Sequence, residues 1–172
     1  KDTTIILGGF DIRGFENITF KNMTVTNTSD NGSGIHMSNA KIELFDVALT
    51  GCNSDGIFIP HTVSSETTLV ATRCEFANSG CGTAIRGSLT SATFKNCVFH
   101  DNTYEGMYAF NKATIHLHGE ATAIYSNGRH GIYAFRSGKV IIHLPSHHNT
   151  IYNNGEEDRN TILGGTITNV ED

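Results

Sequence analysis

The sequence predicts an all-β chain, a parallel β-solenoid of about six to seven coils. Three observations carry this. A glycine followed by an alternating apolar stretch recurs at spacings of 22, 26, 24 and 25 residues: GIHMSN from Gly34, GIFIPH from Gly56, GTAIRG from Gly82, GMYAFN from Gly106 and GIYAFR from Gly131. Like residues occupy like places in successive repeats. Asn and Asp return at two fixed points between the apolar stretches, where a turn needs them.

Each element follows from its side-chain parity. In the glycine-led block, Ile35, Ile57, Thr83, Met107 and Ile132 share one inward position. Met37, Ile59, Ile85, Ala109 and Ala134 share the inward position two residues later. A second block follows each of these, as in ITFKNMTVTN from Ile18 and ATFKNCVFHD from Ala92. There Met23, Val47, Cys74 and Cys97 align, and so do Val25, Leu49, Phe76 and Phe99. Near the end, Ile115 is expected to stack on Ile142, and Leu117 on Leu144. Asn22, Asp46 and Asn96 mark one corner; Asn27, Asn78, Asp101, Asn127 and Asn154 lie near another. A single coil cannot bury its own apolar face, but coils stacked at about 4.8 Å bury a continuous core. The tail GEEDRNTILGGTITNV is expected to hold one more strand, Gly165 to Val170, after an acidic loop. Residues 1–172 are read as a single domain, a fragment of a longer chain being left open, with the solenoid ends capped by neighbouring chains or missing sequence.

The 172 residues include 18 Gly and 2 Pro, with no Trp and only 17% charged residues, which suits short strands broken by tight turns. The net charge is −5 and no basic run could follow a phosphate backbone, which argues against nucleic acid. No stretch approaches the 18 or so apolar residues of a membrane span.

The repeat grammar, GI-x-[MIA] together with FKNMTV and FKNCVF, resembles that of right-handed parallel β-helix repeat proteins. That group includes the pectate-lyase-like and polygalacturonase-like folds. The resemblance runs from about Thr4 to Asn154 and implies the handedness, which also follows the general preference of parallel crossovers. It implies an activity only where catalytic signatures accompany the fold. The acidic calcium cluster of the lyases is not found, nor are the N-T-D, D-D, G-H-G and R-I-K strings of the polygalacturonases. Arg129-His130-Gly131 is only a distant echo of the third.

Candidate sites lie on outward positions. One column reads His36, Phe58, Ala84, Tyr108, Tyr133 and the next Ser38, Pro60, Arg86, Phe110, Phe135. Outward aromatics make a binding shelf, for sugar rings or a protein partner, unless another segment covers them. The ligand- or partner-binding residues are therefore read as His36, Phe58, Arg86, Tyr108, Phe110, Tyr133 and Phe135. Arg86, Lys112 and Arg136 suit carboxylates or sulfates on a glycan. A third column precedes the glycines: Ser33, Asp55, Cys81, Glu105, His130. Asp55, Glu105 and His130 are the candidates for acid/base chemistry on a polysaccharide, set against ordinary turn residues on a solvated edge.

No cofactor and no metal is assigned. Were a metal bound, His116 and His143 would hold it from one outward stack, with His118, His147 and His148 nearby; ordinary surface histidines are the alternative. Cys74 and Cys97 share an inward column and Cys52 and Cys81 a turn. Either pair could meet the distance limits of a disulfide; stacked free thiols are favoured for the first, and the second is left even. Asn17, Asn22, Asn27 and Asn31 each begin an Asn-x-Ser/Thr triplet, which points to an extracellular, virion or organelle setting if composition alone does not explain them. The functional expectation is a non-catalytic module that binds a protein or an acidic polysaccharide, or serves in assembly. The alternative is a polysaccharide lyase, hydrolase or epimerase.

Overall fold

The computed structural model of the chain describes residues 4–144 and 150–171. Strands are numbered along the chain. The first coils give β1 (Thr4–Leu7), β2 (Phe10–Arg13), β3 (Ile18–Thr26), β4 (Ile35–Ser38), β5 (Lys41–Thr50) and β6 (Ile57–Ile59). The central coils give β7 (Thr67–Thr72), β8 (Glu75–Ala77), β9 (Thr83–Arg86), β10 (Thr90–Lys95), β11 (Val98–His100) and β12 (Met107–Phe110). The last give β13 (Thr114–His118), β14 (Ala123–Tyr125), β15 (Ile132–Phe135), β16 (Lys139–Leu144), β17 (Thr150–Tyr152), β18 (Arg159–Ile162) and β19 (Thr166–Glu171).

The strands pair in parallel, each joining one coil to the next. The result is an all-β, right-handed parallel β-solenoid of about six turns. A seven-stranded sheet, β18-β15-β12-β9-β6-β4-β2, forms one wall. The twelve-stranded sheet bends at a corner. β5 pairs β7 with its first half and β8 with its second, and from there two walls run on separately as β10-β13-β16-β19 and β11-β14-β17.

The corner has a local cause. Asn22, Asp46, Arg73 and Asn96 stand there with φ of 53° each, left-handed backbone that Asn and Asp tolerate best. Arg73 is the exception by type, and it holds Asp46 of the previous coil through two bonds of 2.8 Å.

The inward columns form one core. Ile35, Ile57, Met107 and Ile132 are fully buried in one file, and Leu49, Phe76 and Phe99 in another. Phe76 lies parallel on Phe99 at 4.8 Å, and Phe94 meets both edge-on. The glycine that opens each block is required by close approach, not by φ. A Cβ at Gly56 would sit 2.5 Å from the carbonyl oxygen of Gly82, and one at Gly34 2.8 Å from that of Gly56.

Two expectations are corrected. Ile115 stacks on Val140 and Leu117 on Ile142, not on Ile142 and Leu144. Spacing is still 25 from Ile115 to Val140 but 27 from Ala123 to Thr150, so the two extra residues fall after β16. Val140-Ile141-Ile142-His143-Leu144 offers apolar residues in either frame, and a two-residue shift preserves parity. The tail holds two strands, not one. β18 lies on β15 through its backbone ladder, although Arg159-Asn160-Thr161-Ile162 has little apolar alternation to announce it.

Candidate functional site

The outer side of the seven-stranded wall carries the aromatic columns in the expected register. His36 pairs with Phe58, Phe58 with Ala84, Ala84 with Tyr108, and Tyr108 with Tyr133. Alongside, Arg86 pairs with Phe110 and Phe110 with Phe135. Each of the seven predicted binding residues is half-buried.

Their burial comes largely from one another. Tyr108 and Tyr133 are parallel within 15° at 5.3 Å, and Phe110 and Phe135 within 21° at 5.6 Å. Parallel rings at such separations are offset, each lying partly over the next. The wall therefore presents a stair of ring edges and part-faces, where a flat shelf was expected. Ala84 would leave a gap in the stair. Arg86 fills it, its guanidinium carbon 5.0 Å from the Phe58 ring and 5.6 Å from Tyr108, while Ala84 is fully buried. Arg136 repeats the device over Phe110 and Phe135 at 5.7 and 5.4 Å. Burial pushes the Tyr108 phenol up to about 12, so it is a neutral donor and acceptor at neutral pH. At the other end His36 sits 3.4 Å from Asp11, which also takes two bonds from Arg13.

Behind this stair runs the acid, thiol and histidine row. The backbone N–H groups of Gly34, Gly56, Gly82 and Gly106 donate to the carbonyls of Asp55, Cys81, Glu105 and His130, which sets these residues in one file. Their side chains are not on a solvated edge. Asp55, Cys81, Glu105 and His130 are 7–8% exposed. The Cys81 N–H donates to Asp55 Oδ1 at 3.1 Å and its thiol to Glu105 Oε2 at 3.3 Å. Glu105 Oε1 is 3.7 Å from His130 Nδ1, a buried atom that has no hydrogen-bond partner among the described residues. His130 Nε2 meets Glu156 at 3.1 Å and Asn160 at 2.8 Å, and its ring stacks on Tyr133 at 4.9 Å. Burial raises the Asp55 carboxyl, against the backbone N–H of Cys81 and the charge of Arg86. Burial also drives the Cys81 thiol far up, which keeps it protonated. Glu156 and Asn160 were not foreseen, because nothing in their local sequence ties them to a residue some 26 to 30 positions earlier.

The chain's repeat matches the family model described as "Right handed beta helix region" over residues 33–169. The chain belongs to that family. No curated protein and no solved structure matches it in the corresponding comparisons. Membership of the β-helix family supports the relation to the pectate-lyase-like superfamily expected from the repeat.

On the wall of β10, β13 and β16 the structure gathers His116, His118 and His143, with one ring nitrogen of each within 4.8 Å of the other two. The register correction matters here, because His116 pairs with Ile141, not His143. His143 Nε2 nevertheless reaches His116 Nδ1 at 2.9 Å, and its ring lies 3.9 Å from that of His118. His147 and His148 lie outside the described residues. The cysteines are four buried free thiols. Cys74 N–H points at Cys97 Sγ at 3.5 Å, as expected of stacked thiols, whereas Cys52 binds Ser79 through its N–H and Cys81 binds the acids. Of the Asn-x-Ser/Thr sites, Asn27 is committed to Ser33 and Ser29, and Asn17, Asn22 and Asn31 hold left-handed turns. Among the described residues no helix is long and apolar enough to cross a membrane. The molecule is thus a β-solenoid scaffold carrying surface aromatic and polar clusters.

Proposed function

We propose that the chain is a recognition module that binds an acidic polysaccharide along the aromatic stair, without acting on it. The supporting observation is the continuous run Phe58, Arg86, Tyr108, Tyr133, with Phe110, Phe135 and Arg136 beside it. A surface that repeats once per coil, about every 4.8 Å, gains a contact per repeat from a partner that is itself a regular polymer. Ring edges and part-faces pack on the apolar side of a sugar. Guanidinium groups seated on rings keep donors for carboxylate or sulfate.

The test is retardation of the purified chain in native gels cast with polygalacturonate or alginate, against a neutral glucan. Retardation by the acidic polymers is expected, lost in Tyr108→Ala/Tyr133→Ala with an unchanged circular dichroism spectrum. Binding untouched by that double substitution, or no retardation, would sink the proposal; in the second case a protein partner becomes the reading to pursue.

One observation favours a second reading, a polysaccharide lyase, hydrolase or epimerase. It is the buried contact of Glu105 with His130, whose Nδ1 has no hydrogen-bond partner among the described residues. Against it stands the low exposure of Asp55, Glu105 and His130, with one oxygen of each acid bound by Cys81 and His130 Nε2 held by Glu156 and Asn160. Turnover of an acidic polysaccharide that Glu105→Gln abolishes would establish this reading instead.

A further inference from the structure

On a different wall from the aromatic stair, we propose that His116, His118 and His143 form a binding site for one borderline divalent transition cation, of the Zn2+ class. His116 and His118 are two apart on β13, so their side chains leave the same face of the strand. His143 enters from β16, the next coil, whose register is carried by Thr114 with Lys139 through Leu117 with Ile142. The three rings are half-buried on the outer surface. Two strands of a rigid ladder thus hold three imidazoles in a triangle.

The spacing fits a metal. One nitrogen from each ring lies within 4.8 Å of the others, and His116 Nδ1 to His143 Nε2 is already 2.9 Å. Tetrahedral ligands at 2.0–2.1 Å from zinc stand about 3.3 Å apart. Rotation of half-exposed rings about χ1 and χ2 spans that difference without moving the backbone. The His116–His143 hydrogen bond needs an unprotonated acceptor nitrogen, so at least one of the two rings is neutral.

The donor set selects the ion. Three imidazoles suit Zn2+, Ni2+, Cu2+ or Co2+, whereas Ca2+ and Mg2+ require oxygen ligands. The adjacent rung brings Thr93 beside His116 and Lys95 beside His118 and adds no carboxylate. Three protein nitrogens leave a fourth position for water, the open arrangement that makes a bound cation a Lewis acid.

The experiment is titration of the whole chain with CoCl2, read by visible absorption, and with ZnSO4, read by calorimetry. One equivalent is expected, with the intense bands of four- or five-coordinate Co2+. His118→Gln and His116→Gln, each checked by circular dichroism, should weaken binding by more than about 100-fold, beyond the loss typical of an outer-shell partner. Substoichiometric or undetectable binding, or affinity unchanged in either variant, overturns the proposal. The aromatic stair is untouched by these substitutions, so this result and that of the polysaccharide test are independent.

Discussion

The corner that carries Asn102, Asn127 and Asn154 and the file that carries Asp55, Cys81, Glu105 and His130 both bury polar side chains coil after coil. They do so differently. In the first, each amide donates to the next: Asn102 Nδ2 to Asn127 Oδ1 at 2.8 Å, Asn127 Nδ2 to Asn154 Oδ1 at 2.9 Å, and Asn154 Nδ2 to Asp158 Oδ1 at 2.8 Å. The remaining donors and acceptors meet backbone groups of the same turns, such as the carbonyls of Phe76, Phe99 and Tyr125. A side chain with both a donor and an acceptor can stack on itself indefinitely. The second file contains carboxylates that only accept when ionised, and it holds a histidine nitrogen that has no hydrogen-bond partner among the described residues. One column is self-satisfying; the other holds its groups at an electrostatic cost.

The sharpest way to break this contrast is to interrupt the amide column at its middle. Asn127 is 1% exposed and serves both neighbours. Asn127→Leu takes the acceptor from both the backbone N–H and the side-chain amide of Asn102, and a donor from Asn154 and from the carbonyls of Phe99 and Tyr125. Each stranded buried group costs about 1–3 kcal/mol, so a loss of about 3 kcal/mol or more is expected in urea unfolding. Asn127→Asp should fail similarly, since it offers no N–H to Asn154. A loss below about 1 kcal/mol in both variants would show that the column is ornamental and that stacking of the apolar files alone sets stability.

How far the sequence disclosed these features depends on whether like residues repeat. Ile35, Ile57 and Ile132, or Phe76 and Phe99, are visible as files because the same type returns with the same parity. The amide column was blurred, since Asn78 and Asp101 are left-handed corner residues and the ladder runs one place later, through Ser79, Asn102 and Asn127. The Val140–Leu144 register was not legible, because alternation survives a shift of two. The aromatic stair was legible as columns, yet no sequence pattern states how one ring tilts over the next. The Arg86 plug over Ala84 depends on that tilt. His118 joined the histidine cluster through the same two-residue correction.

The second prediction sharpens the contrast through pH. Burial raises the folded-state pKa of Asp55 above its unfolded value. Over the window that opens near pH 4, the ordinary carboxylate range, and extends upward to the folded pKa, the unfolded chain has released a proton that the folded chain retains. Stability from this group is therefore greatest below the window, falls as pH rises through it, and is level above. Asp55→Asn keeps the carbonyl acceptor for the Cys81 N–H and removes the titration. The variant should gain relative to wild type between pH 4 and pH 7 in paired urea unfolding curves. An equal difference at both pH values would mean that Asp55 is ionised in the fold without penalty.

The smallest effect expected is one of silence, and it compares a thiol from each column. Cys52 adjoins the amide corner, where its N–H is held by Ser79 Oγ at 3.1 Å. Cys81 lies among the acids, donating its thiol to Glu105. Burial raises both pKa values, and the carboxylates Asp55 and Glu105 raise Cys81 further. Thiolate, not thiol, is the nucleophile, and both sulfurs are enclosed, at 3% and 7% residue exposure. Brief treatment of the native chain with iodoacetamide at neutral pH should therefore add no mass at either position, while the same reagent in urea labels both. Peptide mass mapping separates the two sites. Labelling of Cys81 in the native chain ahead of Cys52 would mean that the acid file opens to solvent more readily than the amide corner, and the distinction between a cost-bearing column and a self-satisfying one would then lie in dynamics as much as in charge.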